Sequence, residues 1–321
     1  TARNPSPVLG NRVQTGYTTS EGPLTDEQSW SDTTYRVAVS FNPNENTLTY
    51  LSVTSGYKQG GFNSFALSPV AVWGITDATP DTHEPGHFDA ETSMSYEIGY
   101  KGTLFDGRMQ LTGNAFMYKY EDLQANCNTT TPVATVCNVG KLDGYGMEGT
   151  AAAVITDNWQ FTFGLSYFDS EGHEVQEFCA GAIRVFGDIN VCEGQSIPGA
   201  PKWTTFASLN ADYAAGNGRV FGNLAWSWED ERRSGWLPLT PESTTFPEGA
   251  RMIDGYSLAQ MTVGYQAAGN WTAALYVENL TDETYFDGGG TGGNPNDMFV
   301  QNNYGPGRPR TAGVRFTYNF D

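Results

Sequence analysis

The chain has no run of 18 apolar residues, and that absence excludes a membrane protein built from spanning helices. It has only 4 cysteines and no Cys-x-x-Cys pair, so neither a zinc ribbon nor a thioredoxin-like redox motif has support. Basic residues are scarce: 17 Lys and Arg stand against 36 Asp and Glu, a formal net charge of −19. That balance argues against nucleic acid or anionic lipid as a partner, and the acid reads as a solvated loop surface. Histidine is rarer still, with 3 residues. His83-Glu-Pro-Gly-His87 has the spelling of a zinc-protease helix. Pro85 and Gly86 break the helix that would bring both imidazoles to one face. The stretch reads as a solvated loop, or as a weak solute contact through His83 and His87. His173 stands alone in another loop. Gly288–Gly293 is glycine-rich, but no Lys-Ser/Thr pair follows it, so it is not a phosphate loop. No nucleophile–base set and no carboxylate pair stands out from the surface acid. No enzyme activity, metal site or cofactor is therefore expected.

What the chain does have is alternation. Ala312, Val314, Phe316, Tyr318 and Phe320 fall on one face of a strand, and Thr311, Gly313, Arg315, Thr317 and Asn319 on the other. A strict period of two means that one face meets oil and the other water. Trp159, Phe161, Phe163, Leu165 and Tyr167 repeat the pattern, as do Trp271, Ala273, Leu275 and Val277. So do the segments through Leu224, Met109 and Val37. Further strands start near Met94, Gly144, Trp203 and Ser257, and Thr47–Tyr57 is a strand of ambiguous facing. This makes about eleven strands, each of a length that crosses a bilayer at a tilt.

Connections alternate between two kinds. Asn42–Asn46, Leu104–Asp106, Thr156–Asn158, Ala215–Gly216 and Ala267–Asn270 are tight turns rich in Asn, Asp and Gly. Lys58–Ala90, Glu121–Asp143, Ser170–Pro201, Asp230–Ile253 and Thr281–Pro309 are long and irregular. A soluble sandwich has no reason to gather its long loops at one end, whereas a transmembrane barrel does. Trp and Tyr at strand ends (Trp159, Tyr167, Trp203, Tyr213, Trp226, Trp228, Trp271) fit interfacial girdles. The fold class expected is all-β, an antiparallel transmembrane β-barrel.

Several segments resemble TonB-dependent outer-membrane receptors. They are Tyr50-Leu-Ser-Val-Thr-Ser-Gly-Tyr-Lys-Gln-Gly-Gly-Phe-Asn63, Glu91-Thr-Ser-Met-Ser-Tyr-Glu-Ile-Gly-Tyr-Lys-Gly102 and Asn114-Ala-Phe-Met-Tyr-Lys-Tyr-Glu-Asp-Leu-Gln124. Val277-Glu-Asn-Leu-Thr-Asp-Glu-Thr-Tyr285 is similar to the family's penultimate-strand box, and Gly307-Arg-Pro-Arg-Thr311 with its aromatic end is similar to the final strand. The resemblance implies a 22-stranded barrel around an N-terminal plug. This chain would then supply about 11 strands, residues 1–321, as the C-terminal part of the barrel. An odd count cannot close an antiparallel bacterial barrel, and open edges in hydrocarbon are costly. The expectation is therefore a fragment whose partners are the missing N-terminal half and the plug. The resemblance further implies the Gram-negative outer membrane, bilayer and lipopolysaccharide as surroundings, the TonB complex acting through the plug, and uptake of a scarce solute, most often a ferric siderophore. A passive porin-like channel and a surface-binding barrel are the alternatives.

Cys127 and Cys137 share one outer loop, and Cys179 and Cys192 share another. Two disulfides within loops suit an oxidising compartment, free thiols or metal ligands being the other readings. Ligand contacts are expected from loop residues Arg232, Arg233 and Trp236, and from Tyr285 and Phe286. Contact with lipopolysaccharide, or loop packing, is the alternative role for these five. Arg36, Glu97, Lys101, Glu148, Arg219, Glu229, Glu278 and Arg315 lie on polar strand faces, as a wet barrel wall or as groups that grip a plug.

Overall fold

The computed structural model describes residues 28–67, 85–127, 135–174, 193–234, 252–292 and 301–320, with the short pairs Thr18–Thr19 and Gly22–Pro23. Eleven strands make one sheet: β1 (Arg36–Asn44), β2 (Thr47–Lys58), β3 (Glu91–Leu104), β4 (Met109–Glu121), β5 (Lys141–Thr156), β6 (Trp159–His173), β7 (Trp203–Ala215), β8 (Gly218–Glu229), β9 (Tyr256–Ala267), β10 (Trp271–Glu278) and β11 (Thr311–Tyr318). Each strand pairs antiparallel with its sequence neighbours, so the sheet is a simple meander from β1 to β11. β1 and β11 are its two edges and do not pair with one another.

Register follows from the alternation. Leu209, Leu224, Met261, Val277 and Ala312 stand opposite one another across five successive strands. A slip of one residue would carry each to the other face. The facing of β2, ambiguous in sequence, is settled by pairing: Leu51 lies opposite Val39 and Ile98, and Val53 opposite Val37 and Tyr96.

Among the described residues nothing covers the apolar face. Phe163, Leu165, Leu224, Val263, Leu275 and Val314, expected to face lipid, are 37–72% exposed. Among the described residues the buried hydrophobic side chains are Val139, Leu142 and Ile253, all at the end of the sheet that carries the long connections. A soluble protein of this size would bury a central core; among the described residues this sheet buries none. Aromatic pairs border the band. Near the tight turns, Trp159 packs on Tyr213, and Trp271 on Tyr265 and Phe316. Near the long connections, Tyr167 packs on Tyr145 and Trp203. Trp159 and Tyr167 are about 26 Å apart along β6 at ~3.3 Å per residue, which matches an apolar band of roughly 25 Å.

The polar face is bonded across strands. Glu97 accepts hydrogen bonds from the Tyr50 hydroxyl and the Asn114 amide. Asn223 bonds Ser208 and Asn210. Arg219 pairs with Asp212 and donates to Gln266. Gly216, at φ +59° in the β7–β8 turn, takes the left-handed conformation that glycine adopts without cost.

Candidate functional site at the loop-bearing rim

The five tight turns lie at one end of the sheet and the five long connections at the other. The long connections are less irregular than their composition suggests. Among the described residues four of them carry a two-stranded ribbon: Gly61–Leu67 with Pro85–Phe88, Gln124–Cys127 with Thr135–Asn138, Arg232–Arg233 with Met252–Ile253, and Phe286–Gly292 with Gln301–Pro306. Ribbon pairing satisfies backbone groups that would otherwise be left unpaired where loops pack together. Three strands leave the wall through a residue in the left-handed region: Asp122 after β4, Glu174 after β6 and Asn279 after β10.

Asn279 is a bonding node. It is 6% exposed. Its amide donates to the carbonyls of Glu283 (2.8 Å) and Arg308 (3.1 Å), and its carbonyl accepts from the Glu283 N–H (2.8 Å). These bonds tie the two stems of the β10–β11 connection together. Nearby, Arg310 pairs with Asp282 at 3.1 Å.

Arg232 is the centre of a second cluster. Its side chain is 8% exposed, pairs with Glu229, donates to the Asp287 carbonyl at 3.1 Å and lies 5.9 Å from the Tyr256 ring. Tyr256 packs against Tyr285 at 4.4 Å. Gly307 sits against the Tyr285 ring, where a Cβ would approach ring carbons to 2.1–2.3 Å. Arg233 bonds Gln195, and its carbonyl accepts from the Gly199 N–H at 2.8 Å. An open cleft lined by Gly199, Glu229, Arg232, Arg233, Ile253 and Asp287 lies over this cluster. The returning part of the β6–β7 connection is thereby fastened to the β8–β9 connection, and that in turn to the β10–β11 connection through Arg232 and Asp287.

A third cluster surrounds His173, which the sequence places alone in a loop. It is instead the last residue of β6, opposite Lys141 of β5. Pairing continues beyond the alternating segment, because β6 keeps its hydrogen bonds with β5 to the rim. The imidazole lies 3.4 Å from Glu193 and 3.9 Å from Asp143. Lys119 (3.8 Å from Asp143) and the Lys141–Glu174 pair (2.9 Å) complete a cleft in which cations and acids are mixed. No signal in the linear sequence joins His173 to Glu193.

Of the residues singled out in sequence, Arg232, Arg233, Tyr285 and Phe286 come together at one side of the rim. Trp236, His83, Cys179 and Cys192 lie outside the described residues. His87 lies opposite Phe62 in a ribbon. Cys137 is disulfide-bonded, and its strand pairs with the one that ends at Cys127. No group of acidic, His or Cys side chains among the described residues has metal-binding geometry.

An antiparallel meander with one exposed apolar face, aromatic borders and loops gathered at one end is the wall of a transmembrane β-barrel. The family model of the TonB dependent receptor-like β-barrel matches residues 9–280, and the chain belongs to that family. The probable TonB-dependent siderophore receptor PiuA of Acinetobacter baumannii is 26% identical over 278 residues, which cover 84% of this chain and 32% of that protein. The ferric-pyoverdine M114 receptor PbuA of a Pseudomonas strain is 25% identical over 312 residues, 89% of this chain and 32% of its own. The chain thus spans about a third of the length of these relatives. Among solved structures, the ferric yersiniabactin uptake receptor FyuA of Yersinia pestis shares the fold with a TM-score of 0.67 at 19% identity, over 89% of this chain and 37% of that one. The copper transporter OprC shares it with a TM-score of 0.60 at 12% identity, over 89% and 39%.

Proposed function

We propose that this chain is the C-terminal part of the barrel of an outer-membrane receptor that imports a ferric siderophore or a similar large, scarce chelate, energised through TonB. One observation carries the reading: a family-matched barrel wall with a lipid-ready apolar face aligns over most of its length with curated siderophore receptors. The missing barrel half and plug are its partners within the receptor, and TonB acts through the plug. Bilayer and lipopolysaccharide surround it. No covalent chemistry is involved; the wall and loops bind, orient and admit. Interior charges such as Glu97, Arg219 and Arg315 bond to plug groups, and loop residues Arg233, Trp236, Tyr285, Phe286, His83 and His87 meet the solute. Arg side chains suit anionic chelates and aromatics suit planar ones. Cys127–Cys137 and Cys179–Cys192 close two of the loops.

The test is iron uptake by the whole receptor in a Gram-negative host lacking its own siderophore receptors. Uptake of radioactive ferric chelates that requires TonB supports the reading. Uptake that is independent of TonB, with steady ion conductance of the purified barrel, would establish a passive channel instead.

A further inference from the structure

The polar face of the sheet is interrupted by a patch of rings. Phe116, Tyr118 and Tyr120 alternate along β4, and Phe168 reaches them from β6. Their register places them on the same face as Glu97 and Asn114, away from Met117 and Phe163. Phe116 and Tyr118 have centroids 6.1 Å apart and planes within 5°. Phe168 lies 6.5 Å from Phe116 and 5.7 Å from Tyr118, with planes at 23° and 27°. Tyr120 stands edge-on to Tyr118 at 5.3 Å.

The strand between them makes this possible. Gly144 and Gly146 of β5 lie under the rings. A Cβ on Gly144 would meet the Tyr118 ring at 2.4 Å, and one on Gly146 the Phe116 ring at 2.7 Å. The rings therefore lean across β5 to reach Phe168, and all are only half-buried. The residues opposite the rings in β3 are Ser93 for Tyr120, Ser95 for Tyr118 and Glu97 for Phe116, and Ser170 stands across Gly144 in β6. On this face Glu97 and Glu148 lie at the inner edge of the patch, and Glu91 stands nearer the rim, paired with Lys58.

We infer that Phe116, Tyr118 and Phe168 form a stacking platform for a flat, uncharged aromatic group carried by the imported solute. The inference rests on reading this face as the wall of an import path. It adds the substrate class: a chelate with aromatic arms. Three features select that occupant. Near-parallel rings with exposed faces favour an offset-stacked ring. Among the described residues no cation stands opposite the rings, so an anionic group gains nothing there, and the Glu97 carboxylate beside Phe116 opposes one. The platform lies toward the rim, on the side a solute enters first.

Two neutral probes separate ring stacking from chelate recognition: the ferric tris-benzohydroxamate and tris-acetohydroxamate complexes, which differ by phenyl against methyl. Titrated into the purified whole receptor, the benzohydroxamate complex should bind about tenfold more tightly, the scale of one or two ring contacts. The preference should vanish in a Phe116→Leu/Phe168→Leu receptor, which keeps apolar volume without rings. It should survive in Phe206→Leu, an interior ring over Gly164 outside the platform. Heat-modifiable migration on gels confirms that each variant is a folded barrel. A preference that persists in Phe116→Leu/Phe168→Leu overturns the inference. So does no preference in the unaltered receptor, the result expected if a plug face covers the rings. Neither result touches TonB-dependent uptake, which is measured separately.

Discussion

Arg232 should act as a clasp between loops, and replacing it tests whether loop order or direct contact carries solute binding. In Arg232→Ala the Glu229 carboxylate, 26% exposed, loses its cation, and the Asp287 carbonyl loses its donor. Removing one partner of a fully buried pair costs 3–5 kcal/mol, whereas an exposed pair contributes 0–1 kcal/mol. With Arg232 at 8% and Glu229 at 26% exposure, the cost here should be about 2 kcal/mol. That loss is local, because the ribbon Arg232–Arg233 with Met252–Ile253 is only two residues long on each side. Hydrogen exchange of the ribbon amides in the whole receptor should accelerate about 30-fold, the factor that 2 kcal/mol allows. Exchange in β5 and β6 should not change. An Arg232→Met/Glu229→Gln double variant removes the stranded charge and should recover most of the protection. If Arg232→Ala weakened solute binding with unaltered ribbon exchange, Arg232 would be a ligand contact and the clasp argument would fail.

Four further outcomes are expected. Leu275→Arg, on the 62%-exposed apolar face, should lower barrel stability in lipid by about 2–4 kcal/mol, and denaturant titration in vesicles checks it; an unchanged midpoint would mean that Leu275 does not meet hydrocarbon. Mass mapping without reductant should find the disulfides Cys127–Cys137 and Cys179–Cys192, and four alkylatable thiols would refute them. Asn279→Ala removes three hydrogen bonds at a buried node and should cost about 1–3 kcal/mol locally, seen as faster protease cleavage between β10 and β11, with Asn279→Asp keeping only the acceptor and falling between. Expressed alone, residues 1–321 should aggregate rather than insert, since β1 and β11 present unpaired edges, and a stable heat-modifiable barrel without a second chain would contradict this.

The wall was legible from sequence because its rule is local. Alternation through Phe163, Leu275 and Val314 needs only neighbours along a strand, and a period of two allows one face per residue. Thr47–Tyr57 escaped because Thr, Ser and Tyr alternate with Leu and Val there without a clear contrast; only its neighbours β1 and β3 decide the facing. The rim escaped for a different reason. Gln195 meets Arg233, and Glu193 meets His173, across connections whose course no local pattern specifies. Arg232 and Arg233 were picked out as a cationic pair, yet adjacent residues on a ribbon point apart, and one of them is turned inward to Glu229.

The same geometry explains why the fold says less about solute than about membrane. FyuA and the copper transporter OprC both share this wall, so the apolar face and its aromatic borders answer to lipid, which is common to all. Selectivity has to arise where side chains are free of that demand, on the interior face and at the rim. On the interior face of a wet barrel, polar side chains are expected, and Glu97, Asn114, Asn210 and Asn223 conform. Phe116, Tyr118 and Phe168 do not; Gly146 and Gly144 leave room for the first two rings, as Gly164 does for Phe206. Three near-parallel rings on that face, placed toward the loop-bearing rim, are where solute recognition should be sought first.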